Sequence, residues 1–181
     1  AVTLAEAWTE PMPLRMWVMA QALWNPEADG KALVREFCDG YYGAASPAIQ
    51  KYIDVIHAPA REQDFVMRIY RLLDAPYMAP AVMAGAEAAL REAEQAAKGD
   101  PVLERRVRHA HMPVWYVLAK RGPASPTWKA VEEKVGKLDI KAVAEGFARV
   151  AEEYQVNAIS DGEVLKPWLD WLGAYASQVA E

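Results

Sequence analysis

Five times along the chain an oxygen-bearing residue of the helix-capping kind stands where a helix can begin, and three times proline follows it directly. The positions are Asp29, Ser46 with Pro47, Asp100 with Pro101, Ser125 with Pro126, and Asp139. A short side-chain oxygen accepts from the free N–H groups of a first turn, and proline gives up nothing there because its missing N–H had no partner anyway. Behind each start the apolar residues recur at helical spacing. Leu33, Val34, Phe37, Cys38 and Tyr41 follow Asp29, with Gly43 placed to end the helix. Ile49, Tyr52, Ile53 and Ile56 follow Ser46; Leu103, Val107, Ala110, Val114 and Val117 follow Asp100. Trp128, Val131, Val135 and Leu138 follow Ser125, and Ile140, Val143, Phe147, Val150 and Tyr154 follow Asp139.

The remaining stretches fit the same scheme. The alanine-rich run from Met78 to Lys98 has high helix propensity and is closed by Gly99, and a last helix runs through Trp168, Leu169, Leu172 and Tyr175. Residues 58 to 77, bounded by Pro59 and Pro76, read as a loop-like crossing, and Pro113 predicts a kink near His109. No segment demands a strand. The predicted fold class is therefore all-α, about seven to eight helices in an antiparallel bundle or array. The stretch from Met12 to Trp24 differs from the others because it is apolar almost all round, broken only by Pro13, Arg15 and Gln21. Such a helix must be covered on more than one side.

Charge and motif content exclude several function classes. With a net charge of −5 and its lysines and arginines spread among acids, the chain has no basic run suited to nucleic acid or an anionic membrane. No apolar run reaches the roughly 20 residues of a membrane-spanning helix. Cys38, the only cysteine, cannot form an intrachain disulfide and reads as a buried small hydrophobe. There is no glycine-rich phosphate loop, HExxH, paired-cysteine motif or nucleophile elbow, so no cofactor or metal is expected. His109 and His111 stand two apart, which on a helix aims them at different faces, and His57 is far away in sequence. Glu92, Glu94, Glu132, Glu133, Glu152 and Glu153 fall where a solvated helix face is expected.

Aromatic residues are in excess, with seven tryptophans and eight tyrosines. Trp17, Trp24, Trp128 and Trp168 sit on apolar stripes and are expected in the core. Trp8, in "EAWTEPMP", precedes the first helix instead, and its indole with the nearby Glu10 carboxylate makes a candidate platform for a sugar ring and its hydroxyls.

The segment "LRMWVMAQALWNPEADGKALVREFCDGYYGAASPAIQKYIDVIH" resembles the region that follows the barrel in a family of uncharacterised bacterial glycoside-hydrolase-like proteins known as a domain of unknown function. The shared pattern is a helix ending in "LWNP" (Leu23 to Pro26), a helix ending in "GYYG" (Gly40 to Gly43), then Ser46 with Pro47, and "YIDVIH" (Tyr52 to His57). The later "FARVAEEYQVNAISDGEVLKPWLDWL" is more loosely similar to that family's closing helices. This resemblance implies a C-terminal helical region whose (β/α)-barrel precedes residue 1, in a protein for which an extracytoplasmic location is an option. Residues 1 to 24 would then be the last loop and helix of the barrel, or the first helix of the bundle, and residues 25 to 181 the helical domain. A second similarity, to the end of β-N-acetylhexosaminidase barrels, matches Trp8 and Glu10 to a sugar-contacting "W.E" motif. The catalytic Asp-Glu pair of those enzymes is absent here, so glycosidic cleavage, if the parent protein performs it, would use carboxylates upstream.

Two expectations follow. In one, the chain is an accessory domain that supports a barrel, with carbohydrate bound at the barrel rim. In the other, it is a stand-alone helical module that binds a protein partner without catalysis. The first predicts a large exposed apolar face on residues 1 to 24, the second full burial of that segment.

Overall fold

The structure is a computed structural model that describes residues 2–3, 12–62, 75–160 and 163–179. Among them, eight α-helices make up the architecture: α1 (Met12–Trp24), α2 (Gly30–Tyr42), α3 (Ser46–Glu62), α4 (Pro80–Ala97), α5 (Pro101–Arg121), α6 (Pro126–Val135), α7 (Ile140–Glu153) and α8 (Leu165–Val179). The all-α expectation holds. One feature that expectation lacked is a small sheet in the order β1 (Val2–Thr3), β2 (Val156–Ser160), β3 (Glu163–Val164), with β1 parallel and β3 antiparallel to β2. "VNAIS" is too short and too weakly alternating to stand out as a strand.

Four of the five predicted caps operate as such. The side chains of Asp29, Asp100, Ser125 and Asp139 each accept from a backbone N–H of the helix they precede. Ser46 does not. The chain passes from α2 through a 3-10 turn at Gly43–Ala45 straight into α3, so Ser46 already has helical angles and offers no extended cap geometry. Its buried hydroxyl instead donates to Asp39 Oδ1, and Gln50 Nε2 donates to the Ser46 oxygen at 2.8 Å.

The predicted loop-like crossing is corrected at its start, because α3 runs on through Pro59 to Glu62. Pro59 stands inside the helix, and the missing hydrogen bond falls close to its end, where few turns depend on it. Residues 63–74 lie outside the described residues. α5 likewise carries Pro113 within one helical run.

Two of the helix pairs pack antiparallel, α3 with α4 and α5 with α7. On α3 and α4, Lys51 pairs with Glu92 while Val55, one turn later, lies against Gly85, nearly two turns earlier. On α5 and α7, Arg105 donates to the Glu153 carbonyl while Trp115 lies against Gly146. The core between them is built from small residues on α4 (Ala86, Ala89, Ala93), larger ones on α5 (Val107, Met112, Leu118) and Phe147 on α7, all buried. Alanines let α4 approach its neighbours closely, which is why one helix can serve as the hub for α3, α5 and α6.

Candidate functional site

The two helices most exceptional in sequence are exceptional in structure for opposite reasons. α1 has one face that packs. Leu14 is buried, and Trp17 lies 5.8 Å from Phe37 of α2, which in turn stacks on Tyr41. Its other face carries Met16, Met19, Ala20, Leu23 and Trp24, the i, i+3, i+4, i+7, i+8 series of a single helical stripe, and all five are exposed. Leu23 is 82% exposed and Trp24 90%. Trp24, expected in the core, is therefore corrected to the surface; it is the last residue of α1, one heptad beyond Trp17. Trp128 and Trp168 are buried as expected, and Trp17 is half-buried. Trp8 and Glu10, the candidate sugar platform, lie outside the described residues.

α4 and α5 hold the opposite arrangement, charge inside the core. His111 is buried between two acids of α4, with Nε2 2.7 Å from Glu87 and Nδ1 2.7 Å from Glu94. A carboxylate only accepts, so both ring nitrogens donate and the imidazole is a cation. Burial alone would lower its pKa, but the Glu87 charge and the hydrogen bonds His111 donates to both carboxylates outweigh it and push the value up to about 9. Burial likewise acts to raise Glu87, and His111 together with Arg91 overrides it, leaving the Glu87 pKa lowered. Arg91 Nε donates to Glu87 at 2.8 Å and its Nη1 to the Val135 carbonyl of α6. Trp115 stacks on the His111 ring at 4.3 Å and lies against Gly146, where a Cβ would stand 3.2 Å from the indole.

His109 faces the other way, stacked on Tyr154 at 3.8 Å, with its pKa lowered to about 4 by burial and then by Arg105. The opposite facing of the two histidines is as their spacing predicts. Two acids placed on the solvated face are corrected: Glu94 is partly covered and bound to His111, and Glu153 is partly covered and paired with Arg108 at 3.4 Å. Glu92, Glu133 and Glu152 are exposed as expected, while Glu132 accepts from the Leu138 N–H.

Chemically, the His111 cluster is a clamp. Neither ring nitrogen is free to take a proton or attack a substrate, and none of Glu87, Glu94 and His111 lines the cleft found between α2 and α3. No group of three or more metal-ligating side chains is placed to hold an ion among the described residues. Nor is any helix among them long and apolar enough to cross a membrane.

One comparison with known proteins gives a result. Residues 4–54 match the family described as a domain of unknown function, DUF4838. The match takes in α1 and α2 and the first half of α3, the same region that carries the "LWNP", "GYYG" and "YID" pattern. No curated protein matches the chain, and no solved structure does.

Sequence reasoning missed the His111 clamp, though a signal for it was present. Glu87 interrupts an otherwise apolar stripe of Met83, Ala86, Leu90 and Ala93, and Glu94 follows it two turns later on the same side.

Proposed function

We propose that this chain is a helical accessory domain that supports the (β/α)-barrel of a glycoside-hydrolase-like protein, with the exposed stripe of α1 as the surface that meets the barrel. The observation that carries the reading is that stripe: four large apolar side chains at helical spacing, each more than half exposed. Fully covering a side chain of that size contributes about 1.5–3 kcal/mol, so the face has strong reason to be occupied. The resemblance of residues 14–57 to the segment after a barrel supplies the occupant, and the family match over residues 4–54 overlaps it. Catalysis on this reading belongs to carboxylates of the barrel, with Trp8 and Glu10 at its rim, in contact with carbohydrate.

The test is a photo-crosslinking amino acid placed at position 23 of the barrel-containing protein, followed by mapping of the joined peptide. The reading expects crosslinks from position 23 into barrel helices. Crosslinks confined to residues 25–181, or to a separate protein, would refute it, and the latter would favour a stand-alone module that uses α1 as a helix-in-groove ligand.

A further inference from the structure

A second surface feature lies on α2 and α3, apart from the α1 stripe. A cleft of about 320 Å³ opens between the first turns of α2 and the last turns of α3. Its apolar floor includes Ile53, which is buried, and Val34, which is half-buried. Lys31 and Arg35 from α2 and Arg61 from α3 stand around it, against the one carboxylate of Asp54. Asp54 accepts from Nη1 of Arg61 at 3.1 Å, and no contact of the other guanidinium nitrogens is found among the described residues. Lys31 and Arg35 form no ion pair among the described residues. They stand four apart on one helix face, where like charges repel by about 0.2–0.5 kcal/mol, a repulsion that an anion between them relieves. This local excess of positive charge occurs on a chain whose net charge is −5.

We propose that this cleft is a binding site for a small anion of about monosaccharide size. Its carboxylate or phosphate is held by Lys31, Arg35 and Arg61, and its carbon skeleton lies on Val34 and Ile53. Arginine's planar fork suits either group, and a volume near the lower end for small-molecule sites suits a single ring. The inference is independent of any barrel docked on α1.

The experiment titrates the chain, at low salt, with sodium glucuronate, with inorganic phosphate, and with glucose as the neutral control. Amide NMR shifts at residues 30–35 and 53–61 report binding. Saturable shifts are expected with at least one of the two anions and not with glucose. Whichever anion saturates at lower concentration identifies the charged group. Arg35→Gln and Arg61→Gln each weaken binding about tenfold, the loss of one charge-assisted contact, while Lys129→Gln on α6 leaves it unchanged. Positions 35 and 61 are exposed, so helix content by circular dichroism stays the same in both variants. The proposal is overturned if neither anion gives saturable shifts, if glucose shifts the same amides equally, or if the variant that combines Arg35→Gln with Arg61→Gln binds as the unaltered chain does.

Discussion

α1 and α4 are both rich in apolar residues, yet one shows its large apolar side chains to solvent and the other hides a glutamate at its centre. The difference lies in what covers them. Among the described residues α1 packs on α2, where Trp17 meets Phe37, while Met16, Met19, Leu23 and Trp24 stay more than half exposed. α4 is enclosed by α3, α5 and α6, so Glu87 can remain there only because His111 and Arg91 neutralise it at hydrogen-bond distance. An apolar residue outside costs the fold little, whereas an unpaired charge inside costs it a great deal. The contrast predicts that the same kind of substitution has very different effects on the two helices.

The largest effect is expected at the clamp. His111→Ala removes the cation from between Glu87 and Glu94 and leaves Glu87 buried with Arg91 alone, a change of about 3–5 kcal/mol for a broken buried pair. Chemical denaturation measures it. Replacing Glu87 and His111 together with Leu and Phe recovers most of that loss, since matched apolar groups of similar volume need no partner. If the double variant is as unstable as the single one, packing around Trp115 rather than charge pairing holds this region.

Next comes Leu14→Ala on the packed side of α1. Leu14 is fully buried, and its truncation costs about 2–5 kcal/mol, read from the same denaturation curve. A loss below about 1 kcal/mol would mean that α1 is only loosely seated on α2 even where it packs.

The paired histidines give a pH test with opposite signs. The folded pKa of His111, about 9, lies above its ordinary 6.5, so its stabilisation is complete below pH 6.5 and is lost as the pH rises through about 9. The folded pKa of His109 is lowered to about 4, so its neutral form is complete above pH 6.5 and that contribution is lost as the pH falls through about 4. The denaturation midpoint should therefore fall on both sides of pH 6.5. The alkaline loss should vanish in the double clamp variant, and the acid loss should shrink in His109→Leu.

How much of this was legible in the sequence depended on how local each cause is. Asp29, Asp100, Ser125 and Asp139 act within three residues of themselves, so their caps could be read directly. The Ser46 cap failed because a 3-10 turn upstream had already set its backbone, and nothing in Ser46 or Pro47 reports on that turn. The end of α3 is not legible because Pro59 reads as a stop, whereas the helix has only one turn left to lose there. For the clamp, the sequence holds the acids and the histidine 24 and 17 residues apart on different helices. Their meeting depends on how α4 crosses α5, which periodicity does not encode. The almost all-round apolar character of α1 was legible, and of the more than one covered side expected from it the described fold supplies one, on α2. That Trp24 would be the most exposed of the large residues was not, because a stripe defines a face without saying which face the neighbours fill.

The smallest effect on stability is expected where the exposed apolar area is largest. Leu23→Glu combined with Trp24→Glu changes two side chains that touch little in the described fold, so the chain alone should lose less than about 0.5 kcal/mol. The same pair of substitutions should reduce dye binding to exposed apolar surface and, if the accessory-domain proposal holds, destabilise a longer protein that carries the barrel by burying two charges at the contact. A shift in the isolated chain as large as that of Leu14→Ala would mean that the outer stripe is covered by part of the chain itself. The contrast between the packed and bare sides of α1 would then collapse, and with it the reason to place a barrel there. A small shift in the chain together with a large one in the longer protein is the combination that only an external cover on α1 produces.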